Sequence, residues 1–268
     1  MYFKKMTKAQ EERERKRKEK LEAERVRIET MKEFERAHSD SKLICGIDEA
    51  GRGPFAGPVV AGAVILDLNN SENEILYLND SKKLSEKKRE LLYKEIIKKS
   101  IAVGVGIVGA KIIDQINILQ ATYLAMHKAI NNLTDVSFLI DEFKSAENES
   151  RFSLDLVDTH ELVKKFTKYE LETEHEKVVP DFILADAVHI PEIEIPQEGI
   201  IKGDAKSVSI AAGSIIAKVT RDHIMFEYDK LNPEYGFKNH KGYGTKAHIE
   251  AIKEHGMLDI HRRSFIHF

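Results

Sequence analysis

The sequence predicts an α/β fold in which short buried strands alternate with amphipathic helices. Three observations lead there. Five brief apolar runs, Leu43–Ile47, Val59–Leu66, Ile101–Val108, Phe182–Ala187 and Gly199–Asp204, have the length of strands. Longer stretches between and after them carry apolar residues near helical spacing. Four carboxylates, Asp48, Glu49, Asp186 and Asp204, fall at the ends of such runs. With 268 residues and 42% hydrophobic content, the chain can bury one sizeable core.

Composition narrows the function classes. The net charge is −3, so any attraction for an anionic partner must be local. The single cysteine, Cys45, lies inside the first apolar run, which excludes a disulfide scaffold and a thiolate zinc site. The histidines lack zinc spacing as well. No apolar run approaches the roughly 20 residues needed to cross a bilayer. The charged N-terminus has no signal-like apolar segment, and a cytoplasmic protein is expected.

In chain order, residues 1–40 read as a charged helical extension and residues 41–268 as the main domain. Residues 7–38 lack proline and glycine, and Glu12–Lys16 and Glu14–Lys18 have i,i+4 spacing. Leu21, Val26, Ile28, Met31 and Phe34 supply a narrow docking stripe late in the helix. The basic cluster of Arg13 and Arg15–Lys18 would suit a nucleic-acid arm, but interleaved glutamates favour a solvated face.

The stretch Leu43–Pro58, LICGIDEAGRGPFAGP, organises the rest. Adjacent strand residues point to opposite faces, so Asp48 and Glu49 cannot both aim side chains at one point unless the strand ends there. Hard oxygen ligands at a strand end suit Mg²⁺ or Mn²⁺. Gly51 and Gly53 bring backbone N–H groups near a ligand, and Arg52 offers a fork for phosphate. No GxGxxG opens a helix here, which argues against a dinucleotide fold.

After the second strand comes Asp80-Ser81-Lys82-Lys83-Leu84-Ser85, a donor-rich group before a helix that Ser85 caps and that runs to Lys99. A helix over Ile112–Leu133 follows the third strand. Residues 134–180 are polar and include FLIDEF (Phe138–Phe143) and a helical stretch near Leu154–Tyr169. FLIDEF mimics Phe182–Ala187, since each is an apolar run with one aspartate, Asp141 or Asp186. Ser207–Lys230 is a long helix whose start is rich in Ala, Gly and Ser, suited to close packing on a sheet. Arg221 and Asp222 read as a helix-stabilising pair. Asn232–His248 alternates aromatics with basic residues, including Tyr243, a pattern suited to sugars and phosphates. A last helix over Thr245–His255 and a basic, aromatic tail, Leu258–Phe268, complete the chain.

These motifs resemble ribonuclease HII. The likeness rests on DEAGRG followed by GP, DSKKLS, INILQATYLAMHKAI, SVSIAAGSIIAKVTRD and HKGYGT, and covers roughly residues 43–133 and 181–265. It implies a ribonuclease H-like fold, a mixed five-stranded sheet flanked by helices, with 134–180 as a surface insertion. It implies an endoribonuclease that cuts the RNA strand of RNA/DNA hybrids and cuts 5′ to single ribonucleotides in duplex DNA. Asp48, Glu49, Asp186 and Asp204 would be catalytic and would hold two Mg²⁺ or Mn²⁺ ions. The products would carry 5′-phosphate and 3′-hydroxyl ends. Gly51, Arg52 and Gly53 would read the 2′-hydroxyl, Ser81 and Lys82 the nucleic-acid backbone, and Tyr243 the sugar at the RNA–DNA junction. Asp186 is chosen over Asp141 because AVHIP and GIIKGD follow it at the family's spacing. A monomer with no membrane partner is expected. The sister enzyme, ribonuclease HIII, would carry a lysine where Arg52 stands and an extra N-terminal sheet domain. From a different class, the same motifs would also suit a module that binds hybrids without cutting them. A different ribonuclease H-like nuclease, such as a resolvase, would share the fold and differ in substrate.

Overall fold

The computed structural model describes residues 7–135 and 177–267. Helix α1 (Lys8–Met31) opens on a capping box, with the Thr7 side chain accepting from the Gln10 amide while the Gln10 side chain accepts the Thr7 N–H. Its outer turns are exposed and carry i,i+4 pairs such as Glu12–Lys16, each worth only tenths of a kcal/mol. Its last turns dock: Ile28 and Met31 are buried, and Arg27 donates to the Leu78 carbonyl. Val26, expected on that stripe, is exposed. In the short helix α2 (Glu33–Ala37), Glu35 is buried and accepts from Ser207 Oγ at 2.6 Å and the Ser209 amide at 3.0 Å. The N-terminal extension therefore ties down the start of a helix more than 170 residues away.

Strands β1 (Ile44–Ala50), β2 (Val59–Leu66), β3 (Ser100–Val108), β4 (Thr134–Asp135), β5 (Phe182–Asp186) and β6 (Gln197–Ile200) form one sheet in the order β4-β3-β2-β1-β5-β6. β1 pairs antiparallel with β2 and parallel with β5, so the sheet is mixed and changes sense at its centre. Six strands form rather than five, because β4 is a two-residue strand too short to show a period. The expected fifth strand also stops early. β6 ends at Ile200, Lys202 turns left-handed at φ 59°, and Asp204 sits on a 3-10 turn, Gly203–Ala205.

Helices α3 (Glu86–Lys99) and α5 (Val208–Leu231) cover one face of the sheet together with α1; Ile28, Tyr93, Ile96, Val64 and Ile215 share that core. Helix α4 (Ala110–Asn131) covers the other, where Ile47, Ile65, Met126 and Ile113 meet. Each fully buried aliphatic side chain contributes about 1.5–3 kcal/mol. The small residues of α5 allow close approach: a Cβ on Gly46 would lie 2.0 Å from the Ser209 backbone, and one on Gly213 would lie 2.7 Å from the Gly62 carbonyl. Cys45, next to Gly46 in β1, is buried in the opposite core under α4, and burial pushes its thiol up to about 12.

Helix α4 begins earlier than its apolar spacing indicates and breaks at Asn117, whose φ is 65°. The Asn117 side chain accepts from the Leu119 and Gln120 amides, so it caps the second half of the helix from within. At the β4 edge Thr134 bridges Lys177 and the Val178 amide donates to the Leu133 carbonyl, which brings the described residues on either side of 136–176 together. FLIDEF with Asp141 and the stretch 154–169 lie outside the described residues. The C-terminal region adds α6 (Phe237–His240) and α7 (Lys246–His255), around a small core of Phe237, Tyr235, Met225 and Ile252. Among the described residues, no helix is long and apolar enough to cross a membrane.

Candidate active site

β1 continues past Ile47, so Asp48 and Glu49 both lie within the strand, opposite Gly62 and Ala61 of β2. Two-residue alternation puts Asp48 on the face of Gly46, against α5, and Glu49 on the other. Asp186 closes β5, where Ala187 turns left-handed at φ 55°. The turn after β6 brings Gly203 back, and its amide donates to Asp186 Oδ1 at 2.6 Å. Carboxylate oxygens of Asp48, Asp186 and Asp204 thus lie within 4.8 Å of one another. Glu49 stands outside that trio, 3.5 Å from Arg52 Nη1.

Three acids this close oppose each other's ionisation. Burial, helped by the Glu49 and Asp186 charges, pushes the Asp48 carboxyl well above the usual carboxylate range. Burial also raises Glu49, with Arg52 opposing and Asp186 adding to the rise. Asp204 is pushed up to about 6 by burial, then by Asp80 and Asp186. Asp80 also hydrogen-bonds Asp204, a partner the sequence offered only as the first letter of DSKKLS. Ser214 of α5 hydrogen-bonds Asp48 and lies 2.9 Å from Ser81 Oγ. Ser81 is therefore buried against the acids, whereas Lys82 is exposed and its charge reaches Asp204 and Glu49. The donor set is wholly hard oxygen and acidic, which fits Mg²⁺ or Mn²⁺ rather than a soft or thiolate-seeking ion.

The glycine loop is held from below by two buried arginines. Arg262 donates to the carbonyls of Gly51 (2.6 Å), Arg52 (2.8 Å) and Gly57 (2.8 and 3.0 Å). Arg221 donates to the Pro58 and Ala56 carbonyls at 3.0 and 3.1 Å, so it clamps this loop and feels neighbouring Asp222 only through its charge. Asp222 is engaged instead by Lys218 and Arg89. With the carbonyls turned onto guanidinium groups, the amides of Gly51, Arg52 and Gly53 bond no other described residue and are free to face a ligand. Gly51 must be glycine: its φ is +94°, and a Cβ would strike Arg221 Nε at 2.0 Å. Tyr243, 46% exposed, lies over Gly53, where an added Cβ would meet its ring at 3.8 Å. The Phe55 and Ala56 amides donate to the Gly242 carbonyl, which joins the two loops.

Known proteins share this chain's sequence and fold. The family model described as Ribonuclease HII matches residues 45–268. A ribonuclease HII from Lachnoclostridium phytofermentans is 50% identical over 244 residues, covering 91% of this chain and 78% of its own. The crystal structure of ribonuclease H2 from Pyrococcus horikoshii aligns with a TM-score of 0.55 at 25% identity, covering 83% of this chain and 93% of that one. The structure of Bst-RNase HIII in complex with Mn²⁺ aligns at 0.52 and 17% identity, over 83% of this chain and 67% of that one, and bears on the fold alone.

Proposed function

Because this chain belongs to the ribonuclease HII family, an endonuclease class acting on nucleic acid, we propose that it cuts the RNA strand of RNA/DNA hybrids and cuts 5′ to single ribonucleotides embedded in duplex DNA. The observation that carries this reading is the trio of Asp48, Asp186 and Asp204 within 4.8 Å, together with a glycine loop whose amides at Gly51, Arg52 and Gly53 bond no other described residue. These three would hold divalent ions, with Glu49 at the margin. Bound there, two Mg²⁺ or Mn²⁺ ions would supply activation of the attacking water and charge stabilisation at the leaving 3′ oxygen.

The chain's own groups do the rest. The amides of Gly51, Arg52 and Gly53 take the 2′-hydroxyl, the group that separates RNA from DNA. Arg221 and Arg262 keep those amides aimed, which lowers the ordering cost on binding. Lys82 meets the phosphate backbone as an exposed cation near the acids, and Ser81 supports the acids through Ser214. Tyr243 presents its ring to the sugar on the 3′ side and Arg52 its fork to phosphate.

The direct test is incubation with duplex DNA holding one labelled ribonucleotide, beside the same duplex in all-DNA form, with Mg²⁺ or Mn²⁺. A single cut 5′ to the ribonucleotide, leaving 5′-phosphate and 3′-hydroxyl ends, is expected. Binding with no cut under either ion would replace the reading with a hybrid-binding module. A related prediction concerns Ser214, which bonds Asp48. Ser214→Ala is expected to raise the Mn²⁺ concentration for half-maximal cleavage about tenfold, as losses around ligating carboxylates do.

A further inference from the structure

Two histidines beneath Tyr243 form a hydrogen-bond relay with a fixed direction. The Leu258 amide donates to His261 Nδ1 at 2.8 Å, so that nitrogen carries no proton. His261 Nε2 carries it and donates to His248 Nε2, 3.1 Å away. His248 Nδ1 is then the protonated nitrogen and donates to the Tyr243 carbonyl at 3.0 Å. Both rings are enclosed, at 0% and 2% exposure. Burial pushes His248 down to about 4 and lowers His261, which keeps both neutral at neutral pH, as the relay requires. His240 stacks on His248 at 4.5 Å and fixes its own tautomer by donating to the Tyr235 carbonyl and accepting from the Gly242 amide.

The relay begins in the segment that also holds the glycine loop. The Gly57 amide donates to the Ile260 carbonyl, the Arg262 amide donates to the Phe55 carbonyl, and His261 bridges Ala56. The Thr245 amide also donates to the Tyr243 carbonyl, but it belongs to the same loop and moves with it. Among the described residues, His248 alone ties that carbonyl to the C-terminal segment. Residues 260–262 therefore hold the glycine loop through their main chain and Tyr243 through an imidazole pair.

We propose that His261 and His248 are positioning residues that set where Tyr243 stands over the glycine loop, and with it the preference for deoxyribose on the 3′ side of the ribonucleotide. This rests on the activity proposed above. The amides of the loop read the ribose, and Tyr243 reads the next sugar. The spacing between the two readers is what the relay fixes. Neither histidine touches substrate.

Side-chain length gives the test. In His261→Gln the amide nitrogen reaches the place of Nε2 and keeps the donor to His248. In His261→Asn the chain is too short and the relay is cut. The readout is kcat/KM on a ribonucleotide followed by deoxyribose, divided by kcat/KM on a uniform RNA/DNA hybrid. His261→Asn is expected to lower this ratio about tenfold, through KM, the scale of one lost buried hydrogen bond. His261→Gln is expected to hold the ratio within about twofold. In a Tyr243→Ala background, His261→Asn should move the ratio no further. Should His261→Asn fail to fold, His248→Asn, which keeps the donor to the Tyr243 carbonyl but loses the acceptor for His261, must lower the ratio to the same extent, and a preserved ratio overturns the proposal. An equal ratio in the Asn and Gln variants overturns the proposal while the cleavage reading stands. A parent protein that cuts neither substrate ends both.

Discussion

Asp48→Asn is expected to lower the cleavage rate by about a thousandfold while making the metal-free protein more stable. The two effects share one cause. Asp48, Asp186 and Asp204 hold oxygens within 4.8 Å, in a buried place where each charge raises the cost of the next. Removing one charge relieves that repulsion, worth about 1 kcal/mol or more and roughly 3 °C in melting temperature for a chain of this size. In the proposed reaction Asp48 would hold a divalent ion, and its loss would deprive the transition state of an electrostatic partner, on the scale of about 10³ in rate. The pH dependence has a defined sign. Asp204 is raised from 3.8 to about 6 in the folded chain, so the folded state keeps a proton that the unfolded state has released. Its stabilising contribution is complete below the unfolded pKa and is lost as pH rises through about 6. Chelator-treated protein should therefore melt at lower temperature at neutral pH than at about pH 4.5, and Asp48→Asn should flatten that slope. Thermal denaturation against pH, with single-turnover cleavage beside it, checks both halves. A variant equally inactive but less stable than the parent without metal would break the link.

Arg262→Met is expected to cost about 3–5 kcal/mol of stability and to remove the preference for ribonucleotide-containing duplex in binding. Arg262 is fully buried and serves three carbonyls of the glycine loop. Methionine fills similar volume but leaves the carbonyls of Gly51, Arg52 and Gly57 without this donor. The loop then turns some carbonyls outward, where amides are needed. Denaturant melts measure the first effect. Equilibrium binding with a non-catalytic divalent ion, comparing ribonucleotide-containing and all-DNA duplexes, measures the second. Arg262→Lys, which can serve only part of the set, should fall between parent and methionine variant. Unchanged discrimination in a folded Arg262→Met protein would confine Arg262 to a purely structural role.

The sheet was legible where burial is continuous. β2 spans Val59–Leu66 as its apolar run indicates, because a strand covered on both faces writes itself as unbroken hydrophobicity. The close packing of α5 was legible too, since the Gly46–Ser209 approach admits only small residues. Asp204 was legible as an acid but not as a turn residue: the left-handed Lys202 that ends β6 early is neither Gly nor Asn. Asn117 did carry a readable signal, a capping residue with Gln three positions on, hidden inside a longer helical stripe. Arg221, Arg262 and the His248–His261 relay had none. Their partners lie across the fold, in the case of Arg262 and Gly57 205 residues apart, and no period or spacing connects them. Arginine and histidine in a basic tail read as solvated until the fold buries them.

The acid trio is tested most directly by cleavage of a duplex holding one ribonucleotide, using the parent chain, Asp186→Asn and Asp141→Asn. The parent and Asp141→Asn are expected to cut 5′ to the ribonucleotide. Asp186→Asn is expected to lose at least about a hundredfold in rate, on the scale of a lost electrostatic partner. Full activity in Asp186→Asn, with loss in Asp141→Asn, would contradict the assignment of Asp186 beside Asp48 and Asp204 as the reacting centre.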